Sequence, residues 1–333
     1  MKAESLKRLE KLMKPLGFLL FAALVSAETL PGDRMIAAGA MVNSVSFTAD
    51  GKSIAANCRD GKVRLWDART GMLQRTIPIE KGDGSVTLQA QSDLLATVGG
   101  DKVKIWNVNS TGNARVFPTV GQRTRRVSFS KDQQLTAGSS ATSDTGSEET
   151  VRVYDATGKE RFAVAAGIGG TSTLTFSPDG SILVATSYDT NIRAYSVRNG
   201  ELVRFIEEVP VATFAAEFSP DGKVFATAGA DRVVYLWDAR TGRLQRKLPE
   251  QPEMISSLAF SPDGRFLVTG GFSAITVKAP VKVMIWDLAS SKPIRTMDAA
   301  HQVGSVAFSM DSSLAASTSG DDQIHIWGIS ASR

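Results

Sequence analysis

Residues Phe218–Gly222 (Phe-Ser-Pro-Asp-Gly) and Trp237–Gly242 (Trp-Asp-Ala-Arg-Thr-Gly) bracket the stretch that decides the fold. The first segment ends an apolar run and has turn chemistry, because proline presets φ and glycine accepts a positive φ. Short strands are predicted at Val224–Ala228 and Val233–Trp237, and a turn at Asp238–Gly242 leads to a fourth strand. Four short antiparallel strands cannot bury both faces of their sheet alone, so they need neighbours built in the same way.

The same unit recurs along the chain. The phenylalanine that precedes the turn has counterparts at Phe47, Phe129, Phe176, Phe260 and Phe308, with Leu88 as a degenerate copy. An aromatic anchor ends the third strand of each unit, at Trp66, Trp106, Tyr154, Tyr195, Trp237, Trp286 and Trp327, and this set includes all five tryptophans of the chain. A period of about 40–45 residues with four strands and a Trp-Asp dipeptide is typical of a β-propeller.

With these motifs the sequence resembles the WD-repeat β-propeller family, as an exported, bacterial member. The resemblance implies an all-β fold, a seven-bladed β-propeller of four-stranded antiparallel blades that covers residues 33–333. The last repeat has no fourth strand after Trp327, so we expect residues 33–39 to supply it and close the ring. Because one fold hosts many functions, the resemblance is more specific for the fold than for the function.

Residues 1–27 are predicted to be a secretory signal peptide, with a linker at residues 28–32. Basic residues precede the apolar run Leu16–Val25, and Val25-Ser26-Ala27 is a small-residue cleavage pattern. The apolar run is shorter than the roughly 20 residues of a membrane-spanning helix, so no stable span is expected after cleavage. This pattern predicts a periplasmic or secreted protein. The alternative is a cytoplasmic protein with an amphipathic N-terminal helix.

Charge and composition argue against several classes of function. The formal net charge is +4, and the net charge of residues 1–27 alone is +3. The remaining chain is therefore nearly neutral, and no nucleic-acid partner is expected. Two histidines and one cysteine leave no metal-ligand cluster, and neither a phosphate-binding loop nor a nucleophile elbow occurs. We therefore predict a non-enzymatic chain without a cofactor. The alternative is an extracytoplasmic propeller enzyme of the metal-dependent lactonase or hydrolase type.

One face of the predicted ring is the candidate binding surface. In a propeller, the turns between second and third strands share one face with the links between blades, and this face is called the top face here. Insertions at residues 139–149 and 272–281 enlarge it, and loops carry binding function more often than the scaffold does. We predict that the top face presents loops to a protein partner, with solvated surface charge and neutral loop variation as the alternatives. The candidate partner-binding residues are Arg59, Arg123, Arg125, Arg126, Tyr188 and Phe272.

The aromatic anchors and a set of turn aspartates are predicted to be structural. An aspartate precedes the anchor by five or six residues in five repeats, at Asp60, Asp101, Asp189, Asp231 and Asp321. In the family that the sequence resembles, this aspartate, a Ser/Thr, the tryptophan and a histidine form a buried hydrogen-bond network. His301 is the single candidate for that histidine, so the aspartates either join an incomplete network or cap their own turns.

Overall fold

The fold is all-β throughout the part of the chain that the computed structural model describes. That part comprises residues 33–79, 83–88, 93–99, 102–108, 114–118, 124–130, 132, 135–141, 149–206, 209, 212–273 and 280–329. Its strands form seven four-stranded antiparallel sheets, and no helix occurs within these ranges. The predicted signal peptide and linker, residues 1–32, lie outside the described residues.

Each sheet is one blade, and its strands follow one another from the centre of the ring outward. Strand β1 covers Arg34–Ala37 and belongs to the last blade. Blade 1 contains β2 (Val42–Phe47), β3 (Ser53–Cys58), β4 (Lys62–Asp67) and β5 (Leu73–Pro78). Blade 2 contains β6 (Asp83–Leu88), β7 (Leu94–Gly99), β8 (Lys102–Asn107) and β9 (Arg115–Pro118). Blade 3 contains β10 (Thr124–Phe129), β11 (Leu135–Ala141), β12 (Glu149–Asp155) and β13 (Glu160–Gly167).

The remaining blades repeat this order. Blade 4 contains β14 (Thr171–Phe176), β15 (Ile182–Ser187), β16 (Ile192–Ser196) and β17 (Leu202–Ile206). Blade 5 contains β18 (Thr213–Phe218), β19 (Val224–Gly229), β20 (Val234–Asp238) and β21 (Leu244–Lys247). Blade 6 contains β22 (Met254–Phe260), β23 (Phe266–Phe272), β24 (Val281–Asp287) and β25 (Lys292–Ala299). Blade 7 contains β26 (Val306–Phe308), β27 (Leu314–Thr318) and β28 (Gln323–Gly328).

The N-terminal strand closes the ring, as the sequence predicted. Strand β1 pairs antiparallel with β28, with Arg34 opposite Ile326 and Ala37 opposite Gln323, and it is the outer strand of blade 7. The first strand of every blade contacts the first strands of both neighbouring blades, including β2 of blade 1 and β26 of blade 7. Buried Ile36 packs with residues of blades 1 and 7 in one apolar cluster, so the seam is covered like the other blade interfaces.

The face opposite the top face is built from nearly identical capped turns. In the turn after β18, Ser219 Oγ donates to Asp221 Oδ1 at 2.7 Å, and Val224 N donates to Ser219 Oγ at 2.9 Å. Gly222 has a φ of 70°, which favours glycine at this position. The same side-chain pair caps the corresponding turns at Thr48/Asp50, Ser130/Asp132, Ser177/Asp179, Ser261/Asp263 and Ser309/Asp311. These side chains satisfy the backbone of the bottom face in the same way from blade to blade.

The core lies between the blades, where the aromatic anchors pack. Trp66, Tyr154, Tyr195, Trp237 and Trp286 are buried, and Trp106 and Trp327 are partly buried. Three of the tryptophans donate their indole N–H to a second-strand hydroxyl: Trp237 to Thr227 at 2.9 Å, Trp286 to Thr269 at 3.2 Å and Trp327 to Ser317 at 2.9 Å. The single cysteine, Cys58, is also buried in this core.

Candidate functional site

The top face consists of the turns that follow each second strand and the links that lead into the next blade. Backbone hydrogen bonds hold the links against these turns. Val209 N donates to Thr190 O at 3.1 Å, Gln251 N to Arg232 O at 2.8 Å, and Val303 N to Gly271 O at 2.9 Å. In blades 4 to 6 the top face is thus an ordered surface whose shape is set by the backbone.

Three aromatic side chains from three consecutive blades form a row on this face. The ring centroids of Tyr188 (blade 4) and Phe214 (blade 5) are 6.1 Å apart, and those of Phe214 and Phe272 (blade 6) are 5.8 Å apart. Tyr188 is 48% exposed, whereas Phe214 and Phe272 are half-buried. Tyr188, Phe214 and Phe272 are called the aromatic row below. Two of its members were predicted from the sequence, and the central one, Phe214, was not.

A bulge in the inner strand of blade 5 positions Phe214. The register between β18 and β19 shifts between Thr213 and Ala215, which places Phe214 at the bulge. Gly229 lies opposite Thr213, and a Cβ at Gly229 would collide with the carbonyl of Ala212. Glycine at this position therefore lets the chain approach closely enough to form the bulge.

The link between blades 3 and 4 supports Tyr188. The amide of Tyr188 donates to Gly170 O at 3.3 Å, and Gly169 has a φ of 87° and lies under the Tyr188 Cβ. Ile168 N donates to Asp189 Oδ2 at 3.1 Å, and the Ile168 side chain is 63% exposed. The end of the aromatic row thus presents Tyr188 and Ile168 to solvent from a link that is fixed by hydrogen bonds.

A cleft of about 580 Å³ opens on the top face at the seam between blades 7 and 1. Its lining residues are Met41, Val42, Asn43, Arg59, His301, Gln302, Gly304 and Gly320. Arg59 is exposed, and its Nε donates to Asn43 Oδ1 at 3.1 Å. This cleft is called the seam cleft below, and it contains Arg59, one of the predicted partner-binding residues.

The other predicted partner-binding arginines lie in or before the inner strand of blade 3. Arg126 is exposed and lies within β10, not on the link before this strand. Arg125 is also part of β10, where its side chain lies outside the described part of the molecule, and Arg123 lies outside the described residues. Only Arg126 therefore adds a described charge to the inner rim of the ring.

The chain was also compared with known proteins. The model of the WD40 repeat family (WD domain, G-beta repeat) matches residues 29–67, 167–196, 206–238, 242–274 and 291–328, which together make up just over half of the chain. The chain belongs to the WD40 repeat family. WD-repeat propellers typically mediate protein–protein interactions.

Two curated relatives are also WD-repeat proteins. The chain is 28% identical over 170 residues to WD repeat-containing protein SL1-17 of Schistosoma mansoni, a match that covers 49% of this chain and 52% of the relative. It is 27% identical over 114 residues to a WD repeat-containing protein 91 homolog of Dictyostelium discoideum, covering 30% of this chain and 14% of the relative. The WD40 chain thus matches about half of one relative and a small part of the other.

The turn aspartates of this WD40 propeller bind side chains four residues further along the chain. Arg64 donates to both carboxylate oxygens of Asp60, at 3.0 and 2.6 Å, and Arg193 does the same to Asp189, at 3.2 and 2.7 Å. Although burial opposes ionisation, the hydrogen bonds from Arg193 and Ser187 lower the pKa of Asp189 to about 2. Asp60 and Asp189 are thus each clamped by an arginine of the following strand.

Tyrosine replaces arginine in the clamp of blade 5. The Tyr235 hydroxyl donates to Asp231 Oδ2 at 2.6 Å, and burial together with this bond raises the pKa of Tyr235 to about 12. In blade 7, Asp321 Oδ1 accepts from Gln323 N at 2.9 Å and so caps its own turn. Asp101 lies outside the described residues.

One blade has a glutamine where the WD40 network has histidine. Thr269 Oγ1 receives the indole N–H of Trp286 and donates to Gln251 Oε1 at 2.8 Å. Gln251 is buried on the link into blade 6. His301 instead lines the seam cleft of blade 7, where Ser319 Oγ accepts from Ala300 N at 2.9 Å. The family pattern predicts histidine at this position, and Gln251 was not predicted from the sequence.

An arginine recurs in the outer strands, and in several blades it donates a hydrogen bond to the next blade. Six of the seven outer strands have it opposite the residue that precedes the aromatic anchor, at Arg34, Arg75, Arg115, Arg204, Arg246 and Arg295. Arg75 Nη1 donates to Val108 O at 2.9 Å, and Arg204 Nη1 donates to Ala239 O at 2.5 Å. The sequence pattern Gly-x-Leu-x-Arg occurs in three repeats and marks this arginine. The hydrogen bond from the arginine to the next blade was not predicted from the pattern.

The tie at the ring closure includes a carboxylate. Asp33 forms a bidentate ion pair with Arg295 of blade 6. It also accepts a hydrogen bond from Gly328 N of blade 7 at 2.8 Å. The side chains of Arg295 and Asp33 are 14% and 9% exposed. Asp33 therefore fixes the start of β1 to blade 6 and to blade 7, the blade that β1 completes. Asp33 and its bonds to Arg295 and Gly328 are called the latch below.

The titratable side chains of the described residues are the last candidates for a site. No three of their His, Cys, Asp and Glu side chains come together in a group that could hold a metal ion. Glu217, on β18, accepts one hydrogen bond, from Phe260 N at 2.9 Å, and burial raises its pKa to about 7. The described part of the chain also contains no helical segment with the length and apolarity that crossing a bilayer requires.

Proposed function

We propose that this WD40 propeller is a non-enzymatic scaffold that binds a protein partner through its top face. The observation that carries the proposal is the aromatic row, which presents Tyr188, Phe214 and Phe272 from three consecutive blades. Aromatic side chains bury large apolar areas at little cost in side-chain entropy, and they dominate the energetics of protein interfaces.

The contrast between the two faces supports the choice of the top face. On the bottom face, the aspartates of the turns accept hydrogen bonds from their own backbone, as Asp238 does from Thr241 N at 2.6 Å. Such uniform turns offer the same groups in each blade and discriminate poorly between partners. Among the described residues the aromatic row occurs on three blades, and the backbone beneath it is already ordered, which lowers the entropic cost of binding.

The first test is face-dependent capture of a partner. The immobilised propeller would be exposed to an extract of its native host, and retained proteins would be quantified by mass spectrometry. We expect at least one protein to be retained by the wild type and by the bottom-face variant Arg69→Ala/Arg240→Ala. The same protein should be depleted on Tyr188→Ala/Phe272→Ala. Equal retention by both variants would contradict the proposal.

We also propose that residues 1–27 direct export and are removed, so that the propeller works in the periplasm or outside the cell. The support is the basic segment, the apolar run Leu16–Val25 and the small residues that follow it. The mature chain is expected to begin at Glu28. N-terminal sequencing of the protein purified from its native host measures this, and a cytoplasmic chain that retains residue 20 would refute export.

A further inference from the structure

The seam cleft contains Arg59, whose two terminal guanidinium nitrogens are called its open edge below. Within the part of the chain that the structure describes, the Nε of Arg59 donates to Asn43 Oδ1 at 3.1 Å, the terminal nitrogens of Arg59 have no hydrogen-bond partner, and Arg59 contacts no carboxylate. The neighbouring acid, Asp60, is held by both terminal nitrogens of Arg64 and so does not neutralise Arg59. This differs from Arg64, Arg193, Arg232 and Arg295, each of which forms an ion pair.

Two glycines in the walls of the cleft pack closely against neighbouring backbone carbonyls, where a side chain would not fit. A Cβ at Gly304 would lie 2.8 Å from Asn43 O, and one at Gly320 would lie 3.0 Å from Gln302 O. Gly320 also has a φ of 66°, which L side chains rarely adopt. The cleft of about 580 Å³ is within the size range of small-ligand sites.

The polar groups of the cleft are suited to one negative charge. Among the described residues that line it, Arg59 is the one Lys or Arg side chain, and His301 and Gln302 add further hydrogen-bonding groups. The two terminal nitrogens of an arginine match the two oxygens of a carboxylate in a bidentate pair. A phosphate group carries more charge and is usually met by several cations, so a carboxylate fits this lining better.

A backbone hydrogen bond links the wall of the seam cleft to the end of the aromatic row. Val303, in the link that forms one wall of the cleft, donates its amide to Gly271 O at 2.9 Å, and Phe272 is the next residue. A bound segment can therefore place apolar side chains on the aromatic row and an acidic group at Arg59. Met41, which is 37% exposed, supplies an apolar wall beside Arg59.

We propose that the seam cleft binds a carboxylate of the partner protein, either an acidic side chain or the C-terminal carboxylate. This inference rests on the proposed scaffold function for the source of the carboxylate. The ion pair forms between the open edge of Arg59 and the carboxylate, and the apolar remainder of the segment lies toward Phe272. The partner class is thus an extended segment with apolar residues and one acidic group.

The test uses small probes, so it does not depend on knowing the partner. Binding of N-acetyl-alanine, a monocarboxylate, would be measured by saturation-transfer NMR beside its neutral isostere N-acetyl-alanine amide and inorganic phosphate. We expect N-acetyl-alanine to bind the wild type. Its affinity should fall at least about tenfold in Arg59→Gln, since a charge-assisted bidentate pair is lost. The matched control Arg69→Gln, exposed on the bottom face, should bind as the wild type does.

The result is decisive in both directions. Equal binding of the acid and the amide, unchanged binding by Arg59→Gln, no binding of the acid, or tighter binding of phosphate than of the acid would each overturn the proposal. Circular dichroism and thermal melting would verify that Arg59→Gln is folded. If carboxylate binding depends on Arg59 but partner capture does not depend on the aromatic row, the scaffold proposal fails while the cleft stands as a carboxylate site.

Discussion

Removal of the latch by Asp33→Ala is expected to destabilise the propeller far more than removal of a surface ion pair. In the wild type, Asp33 accepts hydrogen bonds from Arg295 and from Gly328 N, and both side chains of the pair are largely buried. The variant leaves the Arg295 guanidinium buried without its counter-charge. It also removes the contact between the start of β1 and Arg295 of β25, so that β1 is held by its pairing with β28 and by the packing of Ile36.

The size of the effect follows from what Arg295 retains. Breaking a buried ion pair by removing one partner costs about 3–5 kcal/mol. Arg295 keeps its bond to Gly328 O at 2.5 Å and its position 5.9 Å from the Trp327 ring centroid, so the lower part of that range applies. We therefore expect a loss of about 3 kcal/mol in the free energy of unfolding.

Urea denaturation followed by tryptophan fluorescence measures this loss as a fall in the transition midpoint. The matched control is Glu250→Ala, which removes a partner of Arg232 from a pair whose side chains are 47% and 56% exposed. That control should cost less than about 1 kcal/mol, because exposed ion pairs contribute little. If Asp33→Ala and Glu250→Ala cost the same, the closure of the ring does not depend on the latch.

Three further predictions concern the fold. Trp237→Ala should cost about 3–5 kcal/mol in urea denaturation, because it empties an apolar interface between blades 4 and 5, and a loss below about 1 kcal/mol would contradict its anchoring role. Deletion of residues 33–37 should remove the outer strand of blade 7 and abolish the cooperative melting transition in calorimetry, whereas an unchanged transition would show that β1 is dispensable. Glu217→Gln should stabilise the chain at pH 8 but not at pH 4. The folded pKa of Glu217 is raised from 4.5 to about 7, so its cost is absent below pH 4.5, grows between these values and reaches at most about 3 kcal/mol above pH 7.

For Glu217→Gln, the control is the dependence of the unfolding free energy on pH. Glutamine keeps an acceptor for Phe260 N but cannot ionise, so the difference in unfolding free energy between Glu217→Gln and wild type should change between pH 4 and 8. A difference that stays constant with pH would show that the Glu217 carboxyl does not carry the raised pKa.

Much of the fold could be predicted because the spacing of the aromatic residues within each repeat shows where its strands begin and end. The position of Trp237 relative to Phe218 locates the third strand of blade 5, and the same spacing identifies the other blades. The absence of a fourth strand after Trp327 implied that the N-terminal strand closes the ring, and this is confirmed by the pairing of β1 with β28. Tight turns and apolar alternation are local signals, so they survive without tertiary information.

The site was predicted only in part, because its geometry depends on contacts between blades. Tyr188 and Phe272 were found from their places in the repeat, but Phe214 occupies a bulge whose direction no local pattern indicates. The pairing of Asp33 with Arg295 joins residues 262 positions apart, and their sequence environments share no motif. The seam cleft likewise needs the first and last blades to be brought together before Arg59 and His301 line one wall.

The central claim is that the aromatic row of the top face binds the partner, and isothermal titration calorimetry with a purified captured partner tests it most directly. The account predicts that Tyr188→Ala/Phe272→Ala raises Kd about 30-fold, the effect of about 2 kcal/mol that hot-spot truncations reach. It predicts that Arg69→Ala/Arg240→Ala on the bottom face leaves Kd within about twofold, as rim and remote changes usually do. A partner whose Kd rises with the bottom-face variant and stays unchanged with the top-face variant would contradict the account.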